Sequence, residues 1–306
     1  MVSSESAVAG RVLERDGAIY RVETSGGEVR ATLRGKVKQD DRGKVVVGDR
    51  VRLEPATGGD LWGIVAVEPR RTLLERRVPE GRGSRPVAAN IDQVLVVTAA
   101  RDPDPIPQLI DRLLVVAEAN EIPAAVIVNK VDIDDGKAIA GRMERAGYPV
   151  YRTSARARIG LEDLRAALAG KETVVTGPSG AGKSSLLNAV CPGVTLRTGE
   201  ISRKVRRGKQ TTVAAVMIPL GDGGYLVDTP GFSEVGLWGI ETRELATCFP
   251  DMRQRVDDCR FADCRHMGEP GCAMTAAVES GELAADRLES YRVLRAELES
   301  APRDWE

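Results

Sequence analysis

Residues 177–184 read Gly177-Pro178-Ser179-Gly180-Ala181-Gly182-Lys183-Ser184, the G-x-x-x-x-G-K-[ST] spacing that cradles phosphate groups. Its glycines let successive backbone N–H groups turn toward an anion, and a following helix N-terminus adds its dipole. Lys183 would reach the β- and γ-phosphates, and Ser184 would ligate Mg2+. This loop serves ATP and GTP alike, so a second motif must choose between them. Asn129-Lys130-Val131-Asp132 supplies it. The Asp132 carboxylate can accept from both guanine N1–H and the exocyclic N2 amine. Adenine offers no such pair, and a carboxylate left unsatisfied there costs ~1–3 kcal/mol or more. The Lys130 stem would cover the base and Asn129 would tie neighbouring loops together. Ser154-Ala155 would place a backbone N–H on the guanine oxygen.

Asp228-Thr229-Pro230-Gly231 fits D-x-x-G, in which Asp228 holds Mg2+ through water and the Gly231 N–H senses the γ-phosphate. Thr211-Thr212 would provide the switch threonine on Mg2+, with Thr212 preferred. In small GTPases a glutamine after D-x-x-G orients the attacking water. Phe232 occupies that place here and cannot do so, which leaves Gln210 as the nearest polar candidate. The motif order is the most specific feature. Base-reading loop, Ser-Ala, phosphate loop, switch threonines and D-x-x-G follow at 129, 154, 177, 211 and 228. Ordinary GTPases begin with the phosphate loop, so this order is a circular permutation of the same sheet. The second switch then leads directly into residues 240–306, which are expected to sense the nucleotide state through that connection.

Cys259-x4-Cys264-x-His266-x5-Cys272 gathers three thiols and the only histidine of the chain. Three sulfurs and one nitrogen suit a closed, tetrahedral, structural Zn2+, one per chain. Cys191 and Cys248 read as core residues. Five cysteines are too few for a disulfide scaffold, so a reducing compartment is expected.

These loops need elements to hold them. Residues 10–70 hold five or six short segments rich in β-branched residues: 12–14, 18–22, 29–33, 45–47, 51–53 and 64–67. Gly- and Asp-rich turns separate them. This pattern suits a small closed barrel, with an OB-fold and an SH3-like barrel both open. Residues 78–90, with Pro79, Gly81, Gly83 and Pro86, read as a linker. From residue 91, buried-type strands at 94–97, 125–128, 150–153, 173–176 and 225–227 alternate with helices near 107–119, 136–146, 161–169 and 183–190. Such alternation implies a mainly parallel sheet covered on both faces, with ligands at the carboxyl ends of its strands. A helix near 282–299 places Leu288, Tyr291, Leu294 and Leu298 at helical spacing, a stripe expected to pack on the domain.

The 306 residues carry 44 basic and 45 acidic side chains, which excludes a uniformly basic, histone-like coat. The average conceals contrast. Residues 1–85 carry four excess positive charges, 86–240 one, and 241–306 six excess negative charges. Two basic clusters stand out: Arg70, Arg71, Arg76, Arg77, Arg82 and Arg85, then Arg197, Arg203, Lys204, Arg206, Arg207 and Lys209. No apolar run approaches the ~20 residues of a membrane helix, and the first residues carry no secretory signal. A cytoplasmic monomer without a membrane partner is expected.

Together these features resemble the ribosome small subunit-dependent GTPase A family over nearly the whole chain. The resemblance implies an OB-fold barrel at 1–72, a circularly permuted P-loop GTPase α/β domain at 73–238 and a mainly α zinc-binding domain at 239–306. It implies GTP hydrolysis stimulated by the small (30S) ribosomal subunit during late maturation, with 16S rRNA as partner. By matching position it extends the GTP/Mg2+ set from Gly177 to Ser185, with Asn129, Lys130, Asp132, Thr212 and Asp228, and assigns Cys259, Cys264, His266 and Cys272 to zinc. Many family members carry a histidine just before the switch threonines. Gln210 stands there instead, so Lys183, Thr212 and Gln210 are the expected catalytic set. The alternatives are a permuted GTPase of large-subunit assembly and a GTP-sensing RNA-binding module with little hydrolysis.

Overall fold

The computed structural model describes residues 7–35, 37, 45–55, 61–77, 84–191, 215–229, 237 and 240–300. Strands β1 (Val8–Asp16), β2 (Ile19–Thr24), β3 (Gly27–Leu33), β4 (Arg50–Glu54) and β5 (Trp62–Val67) pair in the order β1-β2-β3-β5-β4, and β1 also pairs with β4. That extra ladder closes the barrel. β3 and β5 run parallel while the other barrel neighbours are antiparallel, the five-stranded arrangement of an OB-fold. Alternate residues Val12, Tyr20, Val22, Ala31, Val51, Leu53 and Ile64 fill the interior, as period-2 patterning requires.

Two sequence expectations need correction here. Residues 45–47 form no full strand; Val47 makes a single bridge to Ala88. The expected linker holds β7 (Ser84–Ala89), which pairs antiparallel with β6 (Leu73–Arg77). Pro86 and two nearby glycines argued against pairing, but a two-stranded ribbon tolerates proline at its edge.

The second sheet holds β8 (Gln93–Ala99), β9 (Ala124–Asn129), β10 (Val150–Arg152), β11 (Glu172–Thr176), β12 (Val216–Pro219) and β13 (Tyr225–Asp228), ordered β10-β9-β8-β11-β13-β12. All neighbours are parallel except β12 on β13. Every residue of β8 is buried, because helices cover both faces. Helices α1 (Pro107–Ala119) and α2 (Lys137–Arg145) pack on one face, and α3 (Leu161–Leu168) and α4 (Lys183–Val190) on the other. All four fall where the periodicity places them. β12 was not expected, since four residues ending in proline carry no strand signal of their own.

β12 joins the two sheets through the pair Glu14 and Val216. Beside it, Arg11 lies 3.0 Å from the Glu172 carboxylate and 4.1 Å above the Tyr225 ring. Glu172 and Tyr225 open β11 and β13, so the barrel sits against the ends of these strands opposite the phosphate loop.

The C-terminal unit comprises a 3-10 turn (Leu245–Cys248), α5 (Pro250–Arg253), α6 (Ala273–Glu279) and α7 (Ala285–Ser300). Leu288, Tyr291 and Leu294 of α7 enter the core shared with α1 and α2, as their spacing implied. The same buried face also holds Arg287 and Arg295. Arg287 donates to Asp111 of α1 at 2.6 Å and to both oxygens of Asp251 at 2.9 and 2.8 Å. Arg142 of α2 grips Asp111 with two bonds of 2.9 and 2.7 Å and also bonds Asp286. A buried ionic cluster therefore fastens the C-terminal unit to the nucleotide-binding domain. No helix among the described residues is long and apolar enough to cross a membrane.

Candidate nucleotide site and metal centre

The loop from β11 to α4 is built around its glycines. Gly177 has φ +137°, and a Cβ there would lie 2.0 Å from the Val97 carbonyl oxygen. Only glycine lets this loop leave the sheet so close to β8. Gly182 has φ +86°, and its Cβ would meet the Asn129 amide nitrogen at 2.5 Å. That amide donates to the Ala181 carbonyl at 2.9 Å and accepts from Thr153 Oγ1 at 3.3 Å. Asn129 thus links phosphate loop, β9 and the strand behind the Ser154 loop.

Lys183 folds back, and its Nζ donates to the carbonyls of Gly177 and Pro178 at 2.7 and 2.8 Å. Burial lowers its pKa, opposed by the Asp228 charge. Burial pushes Asp228 up to about 7, opposed by Lys183. The hydroxyls of Thr176 and Thr229, at the carboxyl ends of β11 and β13, are buried without a hydrogen-bond partner among the described residues. A desolvated cation, a desolvated carboxylate and two orphaned hydroxyls around a glycine cradle fit a phosphate chain with a hydrated divalent ion.

At the base-reading edge, Ser154 Oγ donates to Asp132 Oδ1 at 2.5 Å and accepts from the Ala157 N–H at 2.9 Å. The Ser154 bond holds the Asp132 carboxyl below the usual range, with smaller help from Arg156 and Lys130. Asp132 is exposed and ready to accept. Lys130, at φ +64°, extends its ammonium to the Asp102 carbonyl. That partner belongs to the 101–105 loop, which the sequence reading missed. Pro103 of this loop lies where a Cβ on Gly180 would come within 3.2 Å. Its one sequence signal was position, directly after the buried strand β8. Gln210, Thr211, Thr212, Gly231 and Phe232 lie outside the described residues, as does the basic cluster at 197–209.

Cys259, Cys264, His266 and Cys272 converge, with their donor atoms within 4.8 Å of one another. Cys259 Sγ and Cys272 Sγ lie 3.5 and 3.6 Å from His266 Nδ1. A tetrahedral site with metal–sulfur bonds of about 2.3 Å and metal–nitrogen bonds of about 2.0 Å has S···N edges of about 3.5 Å. The donor set thus fits one ion, bound through Nδ1. Burial pushes the Cys264 thiol up to about 12, and the Cys259 and Cys272 thiols add to that. Such crowding is unfavourable until a cation converts the thiols to ligands. Outer contacts fix the loops. Glu269 accepts from the Arg265 and Met267 N–H groups at 3.0 and 2.8 Å, and the Ala273 N–H points at Cys259 Sγ at 3.3 Å. His266 takes φ +59°, a costly conformation for a side-chain-bearing residue that such over-determined surroundings sustain.

Residues 67–238 match the family model described as RsgA GTPase. The chain belongs to the RsgA GTPase family. It is 46% identical over 301 residues to a protein of Gemmatimonas aurantiaca named small ribosomal subunit biogenesis GTPase RsgA, covering 96% of this chain and 98% of that one. A relative of the same name from Moorella thermoacetica is 41% identical over 300 residues, covering 97% and 99%. Among solved structures, YjeQ from Thermotoga maritima matches with a TM-score of 0.79 and 35% identity, covering 97% of this chain and all of that one. YloQ, titled a circularly permuted GTPase, matches with a TM-score of 0.75 and 29% identity over 99% of both chains. As an RsgA-family protein, this chain is a GTP-hydrolysing enzyme. Its sheet order explains how the permuted motifs still meet. The phosphate loop leaves central β11, with β8 on one side and β13, carrying Asp228, on the other. The Asn129 loop leaves β9, one strand further out.

Proposed function

We propose that this chain hydrolyses GTP in the cytoplasm as a late maturation factor of the small (30S) ribosomal subunit, which stimulates the reaction. One observation carries the reading. The permuted guanine-nucleotide site, closed N-terminal barrel and C-terminal Cys3His centre occur together in a chain 46% identical over 301 residues to a small-subunit biogenesis GTPase. In this reading residues 73–238 run the nucleotide cycle, and the barrel, the basic switch segment and residues 239–306 grip 16S rRNA.

Within the site, Asp132 and the Ser154-Ala155 turn select guanine, and Asn129 and Lys130 frame it. The backbone N–H groups of Gly177, Ser179, Gly180, Ala181, Gly182, Lys183, Ser184 and Ser185 wrap the phosphates, and Pro178, which has no N–H to donate, fixes the backbone between them. Lys183 exchanges its two carbonyl partners for the β- and γ-phosphates. Ser184, Thr212 and Asp228 hold Mg2+, which neutralises charge on the transferring phosphoryl group when bound. The Gly231 N–H reports the γ-phosphate. Gln210 orients the attacking water by hydrogen bonding, since the single histidine belongs to the metal centre. Replacing Gln210 with alanine is expected to lower subunit-stimulated turnover at least about tenfold while GTP affinity stays unchanged; undiminished turnover would remove Gln210 from the site.

The Cys3His centre takes Zn2+ in this reading, as a closed structural ion. The double substitution Cys264→Ala, His266→Ala is expected to abolish stoichiometric zinc and unfold residues 240–300, with nucleotide binding retained. Elemental analysis and proteolysis check both halves, and full zinc content in the variant would refute the assignment.

The deciding experiment measures phosphate release alone, with purified small subunits and with purified large subunits. Stimulation by small subunits alone supports the reading. Stimulation by large subunits, or tight GTP binding with no turnover under any condition, would overturn it.

A further inference from the structure

The loop that reads guanine also faces solvent in an unusual way. Ser154 and Ile159 exchange two backbone hydrogen bonds of 3.0 and 3.1 Å, closing a tight turn over 155–158. Arg158 sits at φ +57°, so the turn is held in one conformation by its closure and by the Ala157 N–H to Ser154 Oγ bond of 2.9 Å. Arg156 and Arg158 are both exposed, and neither has an ion pair or hydrogen bond among the described residues. Their basic neighbours are engaged. Arg152 donates to the Asp135 carbonyl at 3.1 Å, and Arg101 lies 4.0 Å from Asp134. The nearby carboxylates are also occupied, Asp135 by Lys137 at 2.6 Å. Glu162 and Asp163 open α3, where they complement the helix N-terminus. Two guanidiniums without a hydrogen bond or ion pair among the described residues therefore stand on a closed turn beside Ile159, which is 46% exposed, and the one charge that Arg156 feels from the site is the through-space charge of Asp132.

We infer that the 154–159 turn is a contact for RNA phosphates of the small subunit, made by Arg156 and Arg158. This rests on the proposed function, since it names where the subunit engages the nucleotide domain. Guanidinium forks bind phosphate bidentately, and preorganisation in a closed turn lowers the ordering cost on binding. The turn is also mechanically tied to the base site, because Ser154 holds Asp132 through its 2.5 Å bond. RNA seated on the arginines thus bears on the residue that reads guanine, and the coupling is reciprocal: bound nucleotide sets how the turn is offered to the subunit.

The test uses full-length protein carrying Arg156→Gln and Arg158→Gln. Small-subunit affinity is measured from about 50 to 200 mM salt, and GDP affinity is measured on the free protein. Loss of two phosphate contacts is expected to weaken subunit binding about tenfold and to flatten the log–log salt slope by about 1.5. GDP affinity is read on Arg158→Gln alone, where it is expected to stay within about twofold because Arg158 does not act on Asp132, whereas the Arg156 charge does. Unchanged subunit affinity and slope would overturn the inference while leaving the function intact. A wild-type protein that binds no small subunit would instead overturn the function itself. A photocrosslinking residue at Ile159 is expected to label 16S rRNA; labelling of ribosomal protein alone would also overturn the inference.

Discussion

Replacing Asp132 with asparagine is expected to weaken GTP and GDP binding by about 100- to 1000-fold and to create binding of xanthosine nucleotides. In the proposed function the carboxylate would accept from guanine N1–H and from the N2 amine. An asparagine amide keeps one acceptor but turns a donor toward the amine, so one bond is lost and two donors oppose each other. Charge-assisted hydrogen bonds contribute about 1.5–3 kcal/mol each, and every 1.4 kcal/mol is about tenfold in affinity. Xanthine carries a carbonyl in place of the amine and restores the complement. The loop itself should survive the change, because an asparagine oxygen can still accept the Ser154 hydroxyl that now bonds Asp132 at 2.5 Å. Fluorescent-nucleotide titration checks both signs. GTP affinity within about threefold of wild type would show that Asp132 does not read the base.

The second large effect concerns stability. Substitution of Arg287 by alanine is expected to cost about 3–5 kcal/mol, as does breaking other buried ion pairs. Asp111 is fully buried and receives guanidiniums from both Arg142 and Arg287. Removing Arg287 takes both of its bonds from Asp251, one from Asp111, and the cation above the Phe249 ring at 4.7 Å. Arg112 and Glu297 pair on the same helices α1 and α7, so docking is weakened rather than erased. Thermal denaturation should shift sharply downward, and limited proteolysis should reach residues 240–300 first. A methionine at 287, which fills the volume without the charge, should still leave Asp251 without its guanidinium partner and recover only part of the loss. A melting temperature within about two degrees of wild type in the alanine variant would show that the cluster does not hold the C-terminal unit.

That cluster also changes how the permutation is understood. Chain order implied that residues 240–306 respond to the nucleotide because they follow the second switch. The fold gives them a second attachment, through α1 and α2. Those helices pack on β9, which leads to Asn129, so the C-terminal unit is fastened beside the Asn129 loop as well as following Asp228 in the chain.

How much was legible without the fold depends on how local each feature is. The phosphate loop, the Asp132 motif and the Cys3His set were readable because each is fixed by short spacing and backbone sterics. A glycine beside Val97 admits no other residue, and four donors within fourteen positions need only a small loop to converge. The four helices were readable because their apolar faces repeat within themselves. The Pro103 contact, strand β12, the β6–β7 ribbon and the role of Arg287 were not. Val216–Pro219 is a strand because β13 and β1 lie beside it, and its own four residues carry no periodic signal. Arg287 interrupts an apolar stripe and reads as an exposed cation, until Asp111, 176 positions away, is seen to bury it. The sequence by itself determined which residue types stand at the two candidate sites, since those sets rest on spacing at short range. Only the tertiary structure decided what those sites are fastened to, because the energy of a buried charge or an unpaired strand edge depends on partners that chain distance conceals.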